Sequence, residues 1–222
     1  FTANVSHELK TPLTSISGYA EIIREGMVKS EDVGRFAGKI YEEAQRLITL
    51  VEDILNLSHL DEGAPGQERR QGIDLYALCE RAVASLAEAA RQRGIAISLT
   101  GSRQRVDGAE KLLAEIIFNL CDNAIKYNQE NGHVAVSVTR EGDRVVLTVQ
   151  DTGIGIPPGE TDRVFERFYR VDKSHSRRVG GTGLGLSIVK HGAQYHNAQL
   201  SLDSEPGAGT TITLRFPKQS AA

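Results

Sequence analysis

Within FTANVSHELKTPLTSI at residues 1–16, a histidine, a carboxylate and a hydroxyl stand at helical spacing beside a proline, a set able to accept a phosphoryl group. His7 and Thr11 are i and i+4 and share a helix face, while Glu8 is adjacent and can reach the imidazole or a proton near it. Pro12 has no N–H for the Glu8 carbonyl, so a helix here is expected to bend within a turn of His7 and leave it accessible. A lone histidine on an amphipathic helix is ordinarily a surface residue. A chemical role for His7 therefore depends on the remainder of the chain.

A second group of residues suits a nucleotide. Asn119 and Asn123 are four apart, so two neutral amides project from one helix face toward what could be Mg²⁺ and phosphate oxygens. Two exposed helix asparagines are the plain alternative. Lys126 adds a point charge and Tyr127 a flat ring at the same end. Asp151 follows an apolar strand pattern and opens DTGIGI, where Gly153 and Gly155 let a flat ring approach the backbone and the carboxylate can accept from the exocyclic amine of adenine. An aspartate in a turn before glycine is the ordinary reading of such a residue. Arg163, Arg167, Arg170, Lys173, Arg177 and Arg178 then form a basic run, opposed only by Glu166 and Asp172. A glycine-rich segment and a helix start come next, where free N–H groups and the helix dipole favour phosphate. In that segment Gly181, Gly183 and Gly185 imitate a dinucleotide fingerprint, but the fingerprint needs an apolar strand just before the glycines, and a basic loop stands there instead.

The elements that must position these residues fall into two modules. Val5, Leu9, Leu13, Ile16, Ala20 and Ile23 recur at three and four residues, which predicts an amphipathic helix ending near Gly26. A second helix carries Phe36, Ile40, Ala44, Leu47, Val51, Ile54 and Leu55 before Gly63 and Pro65. The apolar stripe is too large for a lone hairpin, so pairing with a second copy into a four-helix bundle is expected. This module, residues 1–62, has a net charge of −5; the rest of the chain has +2. Residues 63–73 read as a linker. In 74–218, helices fit Asp74–Arg93, Ala109–Tyr127 and Leu184–His196, and strands fit Ile95–Leu99, His133–Thr139, Arg144–Gln150, Gln199–Ser204 and Thr210–Phe216. Hairpin turns fit Glu141-Gly142-Asp143 and Glu205–Gly209. The fold class is α+β: a helical hairpin plus a sandwich with sheet on one side and helices on the other.

Five blocks, in order, resemble those of the bacterial sensor histidine kinases: the segment around His7, NLCDNAIKY at 119–127, DTGIGI at 151–156, FERFYRVD at 165–172 and GGTGLGL at 180–186. The resemblance runs through nearly the whole chain. It implies a dimerisation and phosphoacceptor hairpin followed by an ATP-binding domain of the histidine kinase, gyrase and chaperone type. It also implies that Asn123 is the principal Mg²⁺ ligand with Asn119 assisting, and that Asp151 reads the adenine amino group. The basic run would be a mobile ATP lid docked through Phe165 and Phe168, with Arg170 toward the terminal phosphates and Gly181, Gly183, Gly185 and Leu186 in the nucleotide-binding segment. ATPases of this fold carry a glutamate four residues before the Mg²⁺ asparagine as general base for water. Asn119 stands there and cannot take that proton at neutral pH, so the phosphoryl group should wait for His7. Glu8 would accept the imidazole proton, and Thr11, at His+4, would serve the reverse dephosphorylation. His196-Asn197-Ala198 departs from the family's His-Gly-Gly turn; since asparagine tolerates the left-handed region, little change is expected.

Expected cofactors are thus ATP and Mg²⁺, and expected partners a second copy of the chain and the receiver domain of a response regulator. The net charge of −3 argues against general nucleic-acid binding. Cys79 and Cys121 lie in apolar helical patterns without a metal-binding partner, and read as buried thiols of a reducing compartment. No apolar run reaches the roughly 20 residues that span a bilayer. The reading is a cytoplasmic fragment, its full-length protein anchored in the inner membrane through segments missing from this chain.

Overall fold

The computed structural model describes residues 2–61, 69–171 and 181–218, and divides into two compact units, Phe1–Asn56 and Leu57–Ala222. The first is a helical hairpin. Helix α1 (Thr2–Arg24) leads through a single 3₁₀ turn at Ser30–Asp32 into α2 (Val33–Asp61). Gly26, at φ +68, closes α1 in the left-handed conformation a helix end favours, and Gly26 N–H donates to the Ile23 carbonyl. Tyr19 and Phe36 meet edge to face, 5.8 Å between centroids, where the two helices face each other.

In the second unit the order is β1 (Arg69–Asp74), α3 (Leu75–Gln92), β2 (Ala96–Gly101), β3 (Arg105–Ala109), α4 (Glu110–Lys126), β4 (His133–Glu141), β5 (Arg144–Asp151), a 3₁₀ turn at Arg163–Phe165, α5 (Gly185–Tyr195), β6 (Gln199–Glu205) and β7 (Gly209–Phe216). Five strands form one mixed sheet in the order β2-β4-β5-β7-β6, with β2 and β4 parallel and the other pairs antiparallel. Alternation decides which side is covered. Val134, Val136 and Val138 of β4, Val145, Leu147 and Val149 of β5, and Ile212, Leu214 and Phe216 of β7 are buried in one core with the helices. The central helix is α4, buried through Leu112, Leu113, Ile116, Ile117, Leu120, Cys121, Ala124 and Ile125. An apolar surface that wide lets it pack on the sheet and on a neighbouring helix together.

Two strands depart from the sequence reading. Arg69–Asp74 overlaps the stretch assigned to the linker, and pairs antiparallel with β3, which the sequence did not announce. Both are short and polar, and only Ile73, Val106, Gly108 and Ala109 of the ribbon are buried, so no alternation marks them. Gly72, at φ +68, sits in the irregular pairing between Arg70 and Ile73, and its N–H is accepted by Asp107 Oδ1 at 2.9 Å. The other five strands and the three helices lie within a few residues of their expected bounds. Asp74 caps α3 by accepting from Ala77 N–H at 3.1 Å. Asn197 takes φ +51, the left-handed conformation expected of it. Cys79 and Cys121 are both fully buried; desolvation pushes the Cys121 thiol up to about 12 and raises Cys79 further still, with Cys121 a smaller contributor there.

Candidate functional site

In the hairpin unit His7 is exposed on α1, which continues without interruption through Pro12 although proline forfeits the bond to the Glu8 carbonyl. Nearby hydroxyls add bonds to the main chain: Thr11 Oγ1 donates to the His7 carbonyl at 3.2 Å and Thr14 Oγ1 to that of Lys10 at 2.8 Å. Thr11 thus stands over the turn of His7 as its spacing suggested, with its hydroxyl proton engaged by the backbone. His7, Lys10, Thr11, Thr14 and Ser15 line one shallow depression on α1.

In the second unit the asparagines of α4 face the start of α5. Asn119 turns its Nδ2 back to the Glu115 carbonyl, 3.0 Å away, and its Oδ1 lies beside Gly185. A Cβ on Gly185 would lie 2.7 Å from that Oδ1 and 3.6 Å from Asn123 Nδ2, so only glycine lets the first turn of α5 come this close to both amides. The free N–H groups of an α-helix start and two amide side chains therefore converge, a donor and acceptor set suited to phosphate and a hard cation.

Lys126, a point charge for phosphate on sequence grounds, is held by Asp122, one turn earlier, at 2.6 Å. The sequence reading missed that partner, though its i, i+4 spacing was visible. Burial raises the Tyr127 phenol, and the Arg170 guanidinium opposes the shift, so Arg170 acts at the α4 end of this region. Phe165 and Phe168 are half-buried. Phe168 adopts φ +64, and its N–H donates to the Gly183 carbonyl at 2.8 Å. Gly183, at φ +75, has Phe168 backbone 3.0 Å from where a Cβ would stand. Arg163 lies over the Tyr169 ring at 4.1 Å, and Arg167 Nη2 is 3.1 Å from His191 Nε2 on α5. Asp172, Lys173, Arg177, Arg178 and Gly180 fall outside the described residues.

Asp151 ends β5 as expected. Its Oδ1 accepts from Gly153 N–H at 2.8 Å and from Thr210 N–H at 3.2 Å. Oδ2 takes no hydrogen bond among the described residues. Burial raises the carboxyl above its usual range while those two backbone bonds resist the shift. The surrounding loop is fixed from two sides. On the α4 side, Ile154 N–H donates to the Tyr127 carbonyl, and Thr152 Oγ1 to Asn128 Oδ1. On the β6–β7 side, Gly207 N–H donates to the Ile154 carbonyl, and Ile156 N–H to Ser204 Oγ. A Cβ on Gly153 would meet the Tyr127 carbonyl at 2.4 Å, and one on Gly155, at φ +66, the Glu205 carbonyl at 2.0 Å. Both glycines are thus required by packing of the loop itself. Sequence reasoning missed Ser204 and Thr210; their clue is the cross-strand pairing of Asp151 with Thr210, visible only once register is known.

A half-buried carboxylate with one oxygen unbonded among the described residues, backed by glycines, stands in the same unit as convergent amides and a helix start. Residues 108–220 match the model of the histidine kinase-, DNA gyrase B- and HSP90-like ATPases, and residues 1–63 that of the His kinase A phospho-acceptor domain. The chain belongs to the sensor histidine kinases of bacterial two-component systems. It is 42% identical over 219 residues to the sensor-like histidine kinase SenX3 of Mycolicibacterium smegmatis, covering 98% of this chain and 57% of that one. It is 38% identical to the sensor histidine kinase WalK of Bacillus subtilis, across 98% of this chain and 36% of that one. It thus spans about half or less of these relatives. The structure of full-length ShkA in complex with AMPPNP shares 28% identity at a TM-score of 0.72, over 99% of this chain and 46% of that one.

Proposed function

We propose that the chain is an ATP-dependent histidine autokinase that phosphorylates His7 and passes the group to an aspartate on the receiver domain of a response regulator. The observation that carries this reading is the union, in one chain, of an exposed helix histidine with a nucleotide-type site whose would-be general-base position holds an amide, Asn119. One imidazole nitrogen of His7 forms the N–P bond as the bond from the γ-phosphorus to the leaving ADP oxygen breaks, and Glu8 takes the proton of the other nitrogen. Asp151 Oδ2 accepts from the adenine amine, while Lys126, Arg170 and the start of α5 face the phosphates. At those phosphates Asn123, assisted by Asn119, would hold Mg²⁺, which supplies charge neutralisation when bound. The placing of Asn119 Oδ1 beside Gly185 at the start of α5, with only Nδ2 bonded to the main chain of α4, supports this fit. Thr11, one turn from His7, serves the reverse reaction by placing water for hydrolysis of the regulator's phosphoaspartate.

The chain acts as a homodimer in this reading. Tyr41, Ile48, Val51 and Leu55 of α2 follow a heptad-like spacing and are 41–66% exposed, an apolar seam a second copy would cover. Among the described residues no helix is long and apolar enough to cross a membrane; membrane attachment is assigned to segments outside this sequence, with the kinase core on the cytoplasmic side. The test is incubation with labelled ATP. Acid-labile, base-stable label is expected on the wild-type chain and none on His7→Gln, whose ATP affinity should be unchanged. Acid-labile label retained by the variant would refute the assignment.

A further inference from the structure

Gln129 lies just beyond α4, outside every motif singled out in the sequence, yet its side chain joins the two loops that enclose Asp151. Its Nε2 donates to the Gly153 carbonyl at 3.0 Å and to the Gly207 carbonyl at 3.3 Å. Gly153 N–H is bonded to Asp151 Oδ1, and Gly207 N–H to the Ile154 carbonyl. The amide therefore closes a ring of contacts that runs from the carboxylate through Gly153, Gln129, Gly207 and Ile154. Gly153, which is buried, and Gly207, which is exposed, belong to different turns 54 residues apart in the chain. A single two-hydrogen donor spanning two acceptors restrains both turns at once.

We propose that Gln129 is a positioning residue for nucleotide: it fixes the separation of the 151–156 loop from the β6–β7 turn, and with it the placement of Asp151 against the purine. The inference rests on the reading of Asp151 as the adenine acceptor. Because Gln129 acts on the base end and not on the phosphates or His7, its loss should raise the KM for ATP and leave kcat at saturating ATP within about twofold. Losing one net hydrogen bond corresponds to an about fivefold weaker Kd for ATP in Gln129→Ala. Gln129→Glu sets an anionic acceptor against two carbonyls and should bind more weakly still at pH 7.5. Protonation restores an O–H donor, and two carbonyl neighbours favour the protonated acid, so its deficit relative to wild type should shrink on lowering the pH to about 5.

Calorimetric titration of ADP into the whole chain at both pH values, for wild type, Gln129→Ala, Gln129→Glu and Asp151→Asn, tests the proposal together with steady-state kinase assays at pH 7.5. Weaker binding in Gln129→Ala with kcat preserved, and pH recovery in Gln129→Glu, are the expected results. A wild-type Kd in Gln129→Ala, an equal loss of kcat, or a Gln129→Glu deficit that does not narrow at low pH would overturn it. Unchanged affinity in Asp151→Asn would instead remove the adenine reading beneath it.

Discussion

At the scale of single residues, Asp151 divides its labour between two oxygens. Oδ1 serves the backbone of Gly153 and Thr210, and Oδ2, which takes no hydrogen bond among the described residues, is the oxygen the proposed adenine contact would use. Asp151→Asn can retain the first role, because the amide oxygen still accepts both N–H groups, while its NH₂ then meets the adenine amine donor to donor. A hydrogen bond to a charged group is worth about 1.5–3 kcal/mol, so ATP affinity should fall about tenfold or more with little change in melting temperature. Calorimetry with thermal melts decides this, and a wild-type Kd would reduce Asp151 to a turn residue. How much of the site was legible depends on where each partner lies. Asn119 with Asn123, and His7 with Thr11, could be paired from spacing because a helix fixes that geometry. Gln129, Ser204 and Thr210 could not, since their partners are 24 to 78 residues away and meet only through sheet register.

Among the elements, α5 is held against α4 along its length by contacts that leave little freedom. Gly185 sits on Asn119, and Gly192 on Ile116, where a Cβ would come within 2.6 Å of Cδ1. At the far end, buried His196 donates through Nδ1 to the Gly192 carbonyl at 2.7 Å and accepts through Nε2 from the N–H of Ala109, the last residue of β3 and the N-cap of α4, at 3.1 Å. Its ring fills the space that a Cβ on Gly108 would need. Burial depresses the imidazole pKa, and the Arg69 charge adds to the effect against the bond to Gly192. The folded chain therefore keeps His196 neutral, and the unfolded chain binds the proton more readily. Stability from this residue is complete above the ordinary imidazole value of about 6.5 and is lost as pH falls through it toward the depressed folded value. Thermal melts of wild type between pH 7.5 and 5 should show a decline that is shallower in His196→Gln; parallel curves would place the acid sensitivity elsewhere. Sequence predicted α5 and the turn after it, because periodicity and Asn197 are local signals. It did not predict the bolt to β3, whose strand carries too few apolar residues to be noticed.

For the molecule as a whole, the two units differ in how they hide apolar surface. The second encloses a core containing Leu112, Ile116, Val136, Leu147 and Leu214, whereas the hairpin leaves Tyr41 and Leu55 more than half exposed. That difference was legible, since one half alternates with strand period and the other shows unrelieved helical stripes. The parallel pairing of β2 with β4 carries a consequence in time. No tight turn can join parallel strands; residues 102–132 intervene, and they contain β3 and α4. The β4–β5 hairpin, closed by a two-residue turn, can form from nearby chain, but the five-stranded sheet cannot be completed until α4 has crossed it. The helix bearing Asn119 and Asn123 is thereby expected to take part in the rate-limiting event of folding. Ile116→Val, which removes one methylene from a fully buried residue and costs about 1 kcal/mol, should accordingly slow refolding more than it speeds unfolding in stopped-flow experiments. A change confined to the unfolding rate would show that the sheet assembles first. If the expectation holds, the nascent chain acquires its nucleotide scaffold as a condition of folding and not as a late refinement, and ligand-site substitutions on α4 will carry a kinetic penalty that equilibrium affinity does not record.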